Sequence, residues 1–407
     1  MQVILSHSGK QHAYQVAKSL HELGYLAKFY TSSYISHRAL QQWLLAQGNQ
    51  FWTRRFVEGL HGNVVDSNWR FEIKELVLRK LQGKSAAVQQ AVYDRDVAFD
   101  GYVAKKITKS DAAIYWGFQG SSLFSLKAAN DRGKVSICEL ASAHIIAAKQ
   151  ILGEEVRLHP EWADSINNLV FPAAYEQRLV EEPHTASIVI SASDFTTQTL
   201  LEDGIPLGKI VQLPLGFEVR HIPYQELSKT DITNRPLRLL YAGRITQGKG
   251  IKYLLEAVRQ MSASEVTLHL IGGIQGSGRA LENYKGIFTY HSPVNQLSLF
   301  KQYQQYDALV LPSIFEGFGL VIVEALAAGL PVITTSHTFG PNIIQEGKNG
   351  YLVPIRNVPA LVTALQKLRA LNADHYLQMR LAARQSALAY SWDQYQTRLQ
   401  QFLTTLK

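Results

Sequence analysis

The sequence predicts an α/β protein made of two doubly wound domains in tandem. Short apolar strand patterns alternate with longer helical patterns along most of the chain, which is typical of parallel sheets with helices on both faces. The length of 407 residues suits two cores better than one. Residues 214–236 interrupt the alternation with three prolines and no clear periodicity. We therefore expect a linker there, and a ligand-binding cleft where the carboxyl ends of the strands of both domains meet.

The first domain is expected over residues 1–213. A helix over Gln11–Leu23 follows the first strand. Residues 34–110 are rich in helical patterns, so we interpret them as a helical insertion. The expected strands are QVILSH, LAKFYTS, AAIYWGF, KVSICEL, ASIVISAS and KIVQLPL.

The second domain is expected over residues 237–390, followed by a final helix over 391–407. Helical patterns separate its strands, and the segment Ala360–Lys407 is helical apart from a break near "YSWD". The expected strands are LRLLYAGRI, VTLHLIGG, IFTYHS, ALVLPS, PVITT and GYLVP.

The formal net charge is +8, and it lies almost wholly in the second half, where residues 214–407 carry 19 Lys/Arg against 12 Asp/Glu. Such an excess suits an anionic ligand, a nucleic acid or an acidic membrane surface, or is an ordinary solvated face. A nucleic-acid partner is the weakest of these, because no aromatic platform or helix-turn-helix pattern accompanies the charge.

The sequence predicts a cytoplasmic protein, with a peripheral position at the inner face of the membrane left open. A single cysteine, Cys138, excludes an intramolecular disulfide and fits a reducing compartment. The N-terminus "MQVILSHSGKQH" lacks a basic region and is interpreted as a first strand rather than a signal peptide. No apolar run approaches the roughly 18–20 residues of a membrane span.

The stretch "FEGFGLVIVEAL" places two carboxylates, Glu316 and Glu324, eight positions apart. A helix is expected from about Phe318 to Ala328, with Glu316 at its mouth and Glu324 on its wall. A helix mouth favours a phosphate, and a carboxylate accepts hydrogen bonds from a vicinal diol. The segment could therefore hold a nucleotide sugar. The alternative is an exposed turn residue and a surface helix residue.

A second candidate is the loop in "YAGRITQGKG". Gly243 ends an expected strand, and two cations, Arg244 and Lys249, follow it. Both lie beyond the carboxyl end of the first strand of the second domain, where such folds bind ligands. Arg can hold a diphosphate bidentately, and Lys acts as a point charge. The alternative is a basic loop that caps the next helix.

These motifs in combination resemble the family 4 retaining glycosyltransferases, also described as glycosyl transferases group 1. "EGFGLVIVE" is similar to their E-(seven residues)-E motif, and "GRITQGKG" to their diphosphate loop. The resemblance is dense over residues 186–395 and thin over residues 30–185. It implies the GT-B fold, in which two Rossmann-like domains face each other across a cleft. It also implies a final helix that crosses back to the first domain, and a nucleotide-diphosphate sugar as donor with no cofactor.

The resemblance implies a catalytic role for three residues. Arg244 and Lys249 would neutralise the departing diphosphate, and Glu316 would hold the donor sugar. Glu324 would bind the ribose, and the turn near Val294 would lie against the base. Further donor contacts are implied for Gly9, Gly243, Gly317, Phe318, Gly319 and Leu320.

The acceptor side is matched less well. Many family members have a glycine pair after the first strand, whereas this chain has "HSGK", so only Gly9 allows close approach. Many members also end a middle strand on a histidine near the reaction centre. Here "KVSICELASAH" offers Glu139, Ser142 and His144 as candidates. The structural alternatives are that His144 is a satisfied helix residue and that Glu139 is a residue at a helix start.

Two other features point elsewhere. Asp94 and Asp96 form an Asp-x-Asp triplet, the metal motif of the other large glycosyltransferase fold, but "SAAVQQAVY" before it is helical, so no metal site is expected. The basic, aromatic segment at residues 49–60 would suit a membrane surface near a lipid-linked acceptor, or ordinary helix packing.

The expected function is therefore transfer of a sugar from a nucleotide-diphosphate donor to a glycan or lipid-linked glycan, in cell-envelope polysaccharide synthesis. The alternatives are an epimerase-like reaction on the sugar nucleotide and a catalytically silent nucleotide-sugar-binding module.

Overall fold

The structure is a computed structural model that describes residues 1–9, 12–47, 52, 54–60, 62–83, 85–166, 170–219, 222 and 228–406. Several sequence-based expectations fall partly outside these residues. They are the start of the first helix at Gln11, the 34–110 segment (with the 49–60 segment inside it) at 48–51, 53, 61 and 84, the linker at 220, 221 and 223–227, and the end of the final helix at Lys407.

Seven parallel strands form the first sheet, in the order β3-β2-β1-β4-β5-β6-β7. The order reverses between β1 and β4, so the carboxyl ends of these two strands open a crevice. Both strands are buried at every position, as expected for strands covered on both faces. The strands are β1 Val3–His7, β2 Leu26–Thr31, β3 Val65–Ser67, β4 Ile114–Phe118, β5 Val135–Leu140, β6 Ile188–Ser191 and β7 Ile210–Gln212.

The helices of the first domain cover both faces of this sheet and connect its strands. They are α1 Ala13–Glu22, α2 Arg38–Gln47, α3 Arg70–Gln82, α4 Ala86–Ile107, α5 Leu123–Asn130, α6 Ile145–Leu158, α7 Ala173–Thr185 and α8 Asp194–Glu202, with short 3₁₀ helices at Pro160–Ser165 and Leu207–Lys209.

The interpretation of residues 34–110 as a helical insertion needs a correction. The segment contains β3, which pairs in parallel with β2 from Phe29–Val65 onward. Helix α4 then crosses over from β3 to β4, as the doubly wound pattern requires. A strand of three residues is too short to show an alternation of apolar and polar residues, so the sequence alone does not predict β3.

Six parallel strands form the second sheet, in the order β10-β9-β8-β11-β12-β13. The reversal lies between β8 and β11, so the second crevice opens at their carboxyl ends. The strands are β8 Leu237–Ala242, β9 Val266–Ile271, β10 Phe288–His291, β11 Ala308–Leu311, β12 Val332–Thr335 and β13 Gly350–Val353. The helices are α9 Ile251–Arg259, α10 Gln296–Gln302, α11 Leu320–Ala327, α12 Gly340–Ile343, α13 Val358–Arg369, α14 Ala373–Leu388 and α15 Trp392–Thr405, with 3₁₀ helices at Gln247–Lys249, Arg279–Tyr284 and Tyr303–Gln305.

The C-terminal helices are broken twice rather than once. Besides the break before α15, the chain leaves the helical path between α13 and α14, where Asn372 caps α14 by accepting the N–H of His375. Helix α15 packs on the core of the first domain. Its buried residues Tyr395, Leu399, Phe402 and Leu403 join the cluster that contains β1 and β4.

The two domains meet through a buried carboxylate. Glu155 on α6 has no solvent exposure and accepts hydrogen bonds from Gln247 (2.6 Å), Tyr253 (2.8 Å) and Arg356 (2.7 Å), all in the second domain. Arg356 is the one non-glycine residue of the described chain with a positive φ, at 59°. Its unusual backbone conformation therefore serves to bring a cation to Glu155.

None of the helices that the structure describes combines the length and the apolar character that crossing a bilayer requires.

Candidate functional site

The loop after β8 carries the first group of expected residues. Gly243 (φ 138°) ends the strand, and Arg244 follows with an exposed side chain that has no ion pair among the described residues. Gly250 has φ 70°, and a Cβ there would lie 1.9 Å from the Pro312 carbonyl oxygen. Only glycine fits at this point, and it lets Lys249 stand between the ends of β8 and β11.

The turn after β11 carries the second group. The carboxylate of Glu316 forms an ion pair with the ammonium of Lys249, and both side chains are half-buried. Gly319 adopts φ 82° immediately before α11, which begins at Leu320 rather than at Phe318 as expected. The loop cation and the turn carboxylate, 67 positions apart in the sequence, therefore share one site.

A cleft of about 210 Å³ lies between these two loops and the first domain. It brings together Arg244, Lys249, Glu316 and Gly317 with Ser142 from the first domain. Two cations against one carboxylate leave the cleft with a positive balance, which suits an anionic ligand.

Glu324 is buried on the wall of α11, as its apolar flanks suggested. Its carboxylate accepts hydrogen bonds from the Gln296 amide (2.6 Å) and the Tyr303 hydroxyl (3.1 Å). Burial raises the pKa of Glu324 above its ordinary value, although both hydrogen bonds oppose the shift. Val294 lies exposed in the turn just before α10, and Gln296 on that helix links the turn to Glu324.

The segment between Glu316 and α11 is pressed against the first domain. A Cβ on Gly317 would lie 2.3 Å from the Ser142 Cα, so no larger residue fits there. Its carbonyl accepts a hydrogen bond from the Ser193 hydroxyl (2.6 Å). Phe318 is buried against Phe339, with ring centroids 4.2 Å apart, and Leu320 is exposed. Of the four residues from Gly317 to Leu320, Gly317 alone lines the cleft.

On the first domain, Glu139 is the fifth residue of β5 and is buried. One carboxylate oxygen lies 2.5 Å from the His12 ring nitrogen, and the other accepts the Trp116 indole N–H at 2.9 Å. The His12 ring packs edge-on against Phe118, at the carboxyl end of β4. The pair therefore lies where the first sheet opens its crevice.

His144 does not lie with the other acceptor-side candidates. Its imidazole has no solvent exposure and stands 3.5 Å from Asp203, just beyond α8. Burial lowers the pKa of His144, against the raising influence of Asp203. The expectation that His144 lies on the acceptor side is therefore corrected. The chain turns into α6 at this point, so the imidazole ring lies in the interior of the first domain.

Gly9 lies beside the crevice of the first sheet. Its N–H donates to the His7 ring nitrogen at 2.6 Å, and a Cβ would lie 3.1 Å from that ring. A glycine at this position leaves room for the imidazole ring of His7, two residues earlier.

The Asp-x-Asp triplet lies on helix α4. Asp94 is exposed and pairs with Lys74 at 2.8 Å, whereas Asp96 is buried and accepts from Ser8 (2.6 Å) and Arg95 (2.8 Å). Both carboxylates thus have cationic partners on the protein. Within the described residues no group of three or more His, Cys, Asp or Glu side chains is arranged to hold a metal ion.

Sequence reasoning missed three residues of this site: His12, Gln296 and Glu155. His12 and Gln296 contact carboxylates that had been singled out, but 127 and 28 positions away. No local pattern connects such distant residues. For Glu155, a charged residue on a helix otherwise flanked by apolar positions was the available signal.

Comparison with known proteins identifies the second domain. Residues 236–370 match the model of a family described as glycosyl transferases group 1. We call residues 236–370, the part of the chain that matches this family, the group 1 domain. The group 1 domain carries Gly243, Arg244, Lys249, Glu316 and Glu324, so the resemblance seen in the sequence is confirmed for this part of the chain.

Curated relatives match the chain over part of its length. A putative colanic acid biosynthesis glycosyltransferase, WcaL of Salmonella typhimurium, is 26% identical over 201 residues, which cover 46% of this chain and 48% of that protein. A D-inositol 3-phosphate glycosyltransferase of Streptomyces scabiei is 32% identical over 170 residues, or 38% of each chain. The matched region spans about half or less of these relatives.

Solved structures resemble the chain over its full length. A sucrose-phosphate synthase of Thermosynechococcus elongatus superposes with a TM-score of 0.64 at 18% identity, covering 100% of this chain and 99% of the other. HepE of Anabaena, in complex with UDP-glucose, superposes with a TM-score of 0.62 at 14% identity, covering both chains fully. The fold is therefore the predicted GT-B arrangement of two Rossmann-like domains.

Proposed function

We propose that this protein is a retaining glycosyltransferase that moves a sugar from a nucleoside-diphosphate donor to a glycan acceptor. The observation that carries the proposal is the cleft in which Arg244, Lys249 and Glu316 converge at the carboxyl ends of β8 and β11. The family of residues 236–370 and the fold of the whole chain agree with it.

The residues of the cleft suit departure of a diphosphate. Arg244 and Lys249 stabilise the negative charge that develops as the bond to the anomeric carbon breaks. Because a diphosphate leaves readily once this charge is stabilised, a general acid is not required and neither is a metal ion. Glu316 then accepts hydrogen bonds from the sugar hydroxyls, and Glu324 accepts them from the ribose.

Donor binding requires the cleft to widen. Its volume of about 210 Å³ lies below the roughly 300–1,000 Å³ of typical ligand pockets. Retention of configuration follows from attack on the face from which the diphosphate leaves, which the acceptor reaches from the first domain. Glu139, with its partner His12, and Ser142 are the residues we place on that side.

For the acceptor we propose a glycan of a cell-envelope polysaccharide, carried on a lipid, with the enzyme at the cytoplasmic face of the membrane. Relatives whose names refer to colanic acid and amylovoran biosynthesis support this assignment. A chain that modifies a lipid-linked glycan needs to approach a bilayer without crossing it.

The test is a screen of nucleotide sugars for release of nucleoside diphosphate, beginning with UDP-glucose, the ligand of the HepE complex. We expect slow hydrolysis of one donor, faster release when an acceptor glycan is added, and a product with retained anomeric configuration by NMR. The Lys249→Ala variant should lose the activity, whereas Lys285→Ala, a surface lysine paired with Glu282, should keep it.

The same screen separates the alternatives. An epimerase-like enzyme would change the donor sugar without any acceptor, and NMR of the recovered sugar would show the new epimer. A silent binding module would bind one donor in calorimetry and release no nucleoside diphosphate from it. Either result would overturn the proposal.

A further inference from the structure

Helix α3 is buried on its charged side and exposed on its apolar side. Its two buried residues are Glu72 and Glu75. Three apolar residues at four-residue spacing are exposed instead: Ile73 by 55%, Val77 by 51% and Leu81 by 75%. A surface helix ordinarily shows the reverse pattern, so this one calls for an explanation.

The inward side of α3 is held by ion pairs that fix its rotation. Glu72 pairs with Arg55 at 2.5 Å, and both side chains are almost fully buried. Glu75 pairs with Arg95 on α4, also at 2.5 Å. Turning the helix to bury its apolar row would leave Arg55 and Arg95 without these carboxylates in a low-dielectric interior, which is costly. The exposed row is therefore a built feature of the first domain.

The apolar row continues into a groove lined by tryptophans. Trp69, one helical turn before Ile73, lines a cavity of about 530 Å³ together with Trp52, Trp43 and Leu40. Trp43 is 58% exposed and Leu40 is 44% exposed. Both lie on α2, so the groove joins apolar residues of α2 to Trp69, which directly precedes α3. We call the surface made of Leu40, Trp43, Trp69, Ile73, Val77 and Leu81 the α2–α3 face.

Exposed cations lie beside the apolar row on α3. The exposed charged side chains of α3 are all cationic: Arg70, Lys74, Arg79 and Lys80. Lys74 pairs with Asp94, and Arg79 pairs with the inward-facing Glu75. The two acids of the helix point inward, so the outer side keeps an excess of cations beside its apolar row.

We propose that the α2–α3 face docks on the surface of an anionic lipid bilayer. Apolar side chains inserted between lipid headgroups, flanked by cations that contact anionic headgroups, are the pattern of a helix that lies in the membrane interface. The face adjoins β3, the edge strand of the first sheet. The docking itself stands on these residues, and only its purpose of meeting a lipid-linked acceptor rests on the proposed function.

The test is flotation of the full-length chain with vesicles of phosphatidylcholine alone and of phosphatidylcholine with phosphatidylglycerol. We expect binding to the anionic vesicles, weaker binding to the neutral ones, and loss of binding as salt is raised. The double variant Val77→Asp/Leu81→Asp should bind anionic vesicles at least tenfold more weakly. Trp43→Asp on α2 should also weaken binding, because it removes an exposed apolar group from the same face.

The matched control is Leu207→Asp, which replaces another exposed leucine (66%) next to β7, at the opposite edge of the same sheet. It should bind vesicles as the wild type does. All variants should keep the wild-type melting temperature and the nucleoside-diphosphate release of the free enzyme, so loss of docking is distinguishable from failure of the proposed function.

Absence of vesicle binding, or equal binding by Val77→Asp/Leu81→Asp, would overturn the proposal. Light scattering adds a second check. If the wild type self-associates and this variant does not, the face is an interface between copies of the chain, and the bilayer assignment is wrong.

Discussion

The two sides of the cleft differ in how their charged residues are held. On the second domain, Lys249 and Glu316 stand on loops at strand ends, half-buried and paired with each other. On the first domain, Glu139 lies within a strand and is buried, with His12 and Trp116 bonded to its two oxygens. The second domain thus presents charges that a ligand can bind. The first domain holds the carboxylate of Glu139 in a fixed network of hydrogen bonds.

In the proposed reaction, the second domain binds the charged diphosphate and the first domain positions a neutral hydroxyl. Loop cations can follow a flexible diphosphate, because the long side chains of lysine and arginine have several rotatable bonds. A carboxylate fixed within a strand keeps one orientation, which suits the alignment of a hydroxyl. We therefore expect substitutions on the two sides to affect different kinetic parameters.

The largest effects are expected on the second domain. Arg244→Ala and Lys249→Ala should each lower turnover by about 10²-fold or more, since each removes charge stabilisation of the departing diphosphate. Steady-state kinetics on both purified variants make the measurement, with Lys285→Ala as the surface control. Near wild-type rates for both variants would show that this loop is not the diphosphate site.

The two glutamates of the second domain should separate nucleotide binding from sugar transfer. Glu324→Gln should weaken binding of free nucleoside diphosphate by roughly 10- to 100-fold, because it replaces a charged acceptor of about 1.5–3 kcal/mol. Glu316→Gln should not weaken this affinity, and should reduce transfer instead. Calorimetric titration of both variants compares them directly, and the opposite result would reverse the roles of Glu316 and Glu324.

A smaller effect is expected on the first domain. His12→Asn and Glu139→Gln should each lower the rate of transfer about tenfold, because each weakens one charge-assisted hydrogen bond that holds the pair. Affinity for nucleoside diphosphate should not change. Kinetics with varied acceptor, beside calorimetry with the nucleotide, give both quantities. A parallel loss of nucleotide affinity would mean that nucleotide binding and acceptor alignment are not separated between the two domains as we infer.

The smallest effect is expected from metal removal. Activity should survive treatment with EDTA, since Arg244 and Lys249 supply the positive charge that a metal ion supplies elsewhere. The assay is run before and after chelation, and again with added Mg²⁺ or Mn²⁺. Loss of activity that either ion restores would indicate a metal site, for which Asp94 and Asp96 are the candidate ligands.

The same contrast explains how much the sequence could predict. Short-range patterns predict the α/β class, the linker and the donor-side residues. The linker is where the alternation of strands and helices stops, and one donor-side pattern is the strand that leads into Gly243 and Arg244. The burial of Glu324 also followed from its apolar flanks. These features depend on neighbours within one or two turns of the chain.

The first-domain site depends on contacts that no local pattern encodes. The partner of Glu139 is 127 positions away, and the strand β3 is three residues long. His144 directly precedes α6, and its backbone N–H donates to the Thr199 hydroxyl of α8 at 3.0 Å, which fixes the start of α6 against α8. Tertiary packing determines where these residues lie, and the spacing of residues in the sequence does not predict it.

The ion pair between Lys249 and Glu316 has a consequence for the end of the reaction cycle. In the proposed reaction, a diphosphate that binds Lys249 displaces the carboxylate of Glu316, which is then available to the sugar. Once the sugar has been transferred, Glu316 is left without a partner while the nucleoside diphosphate still occupies Lys249. Return of the carboxylate to the lysine favours departure of the spent nucleotide. The protein therefore carries its own competitor against product inhibition, and Glu316→Gln should bind its nucleotide product for longer.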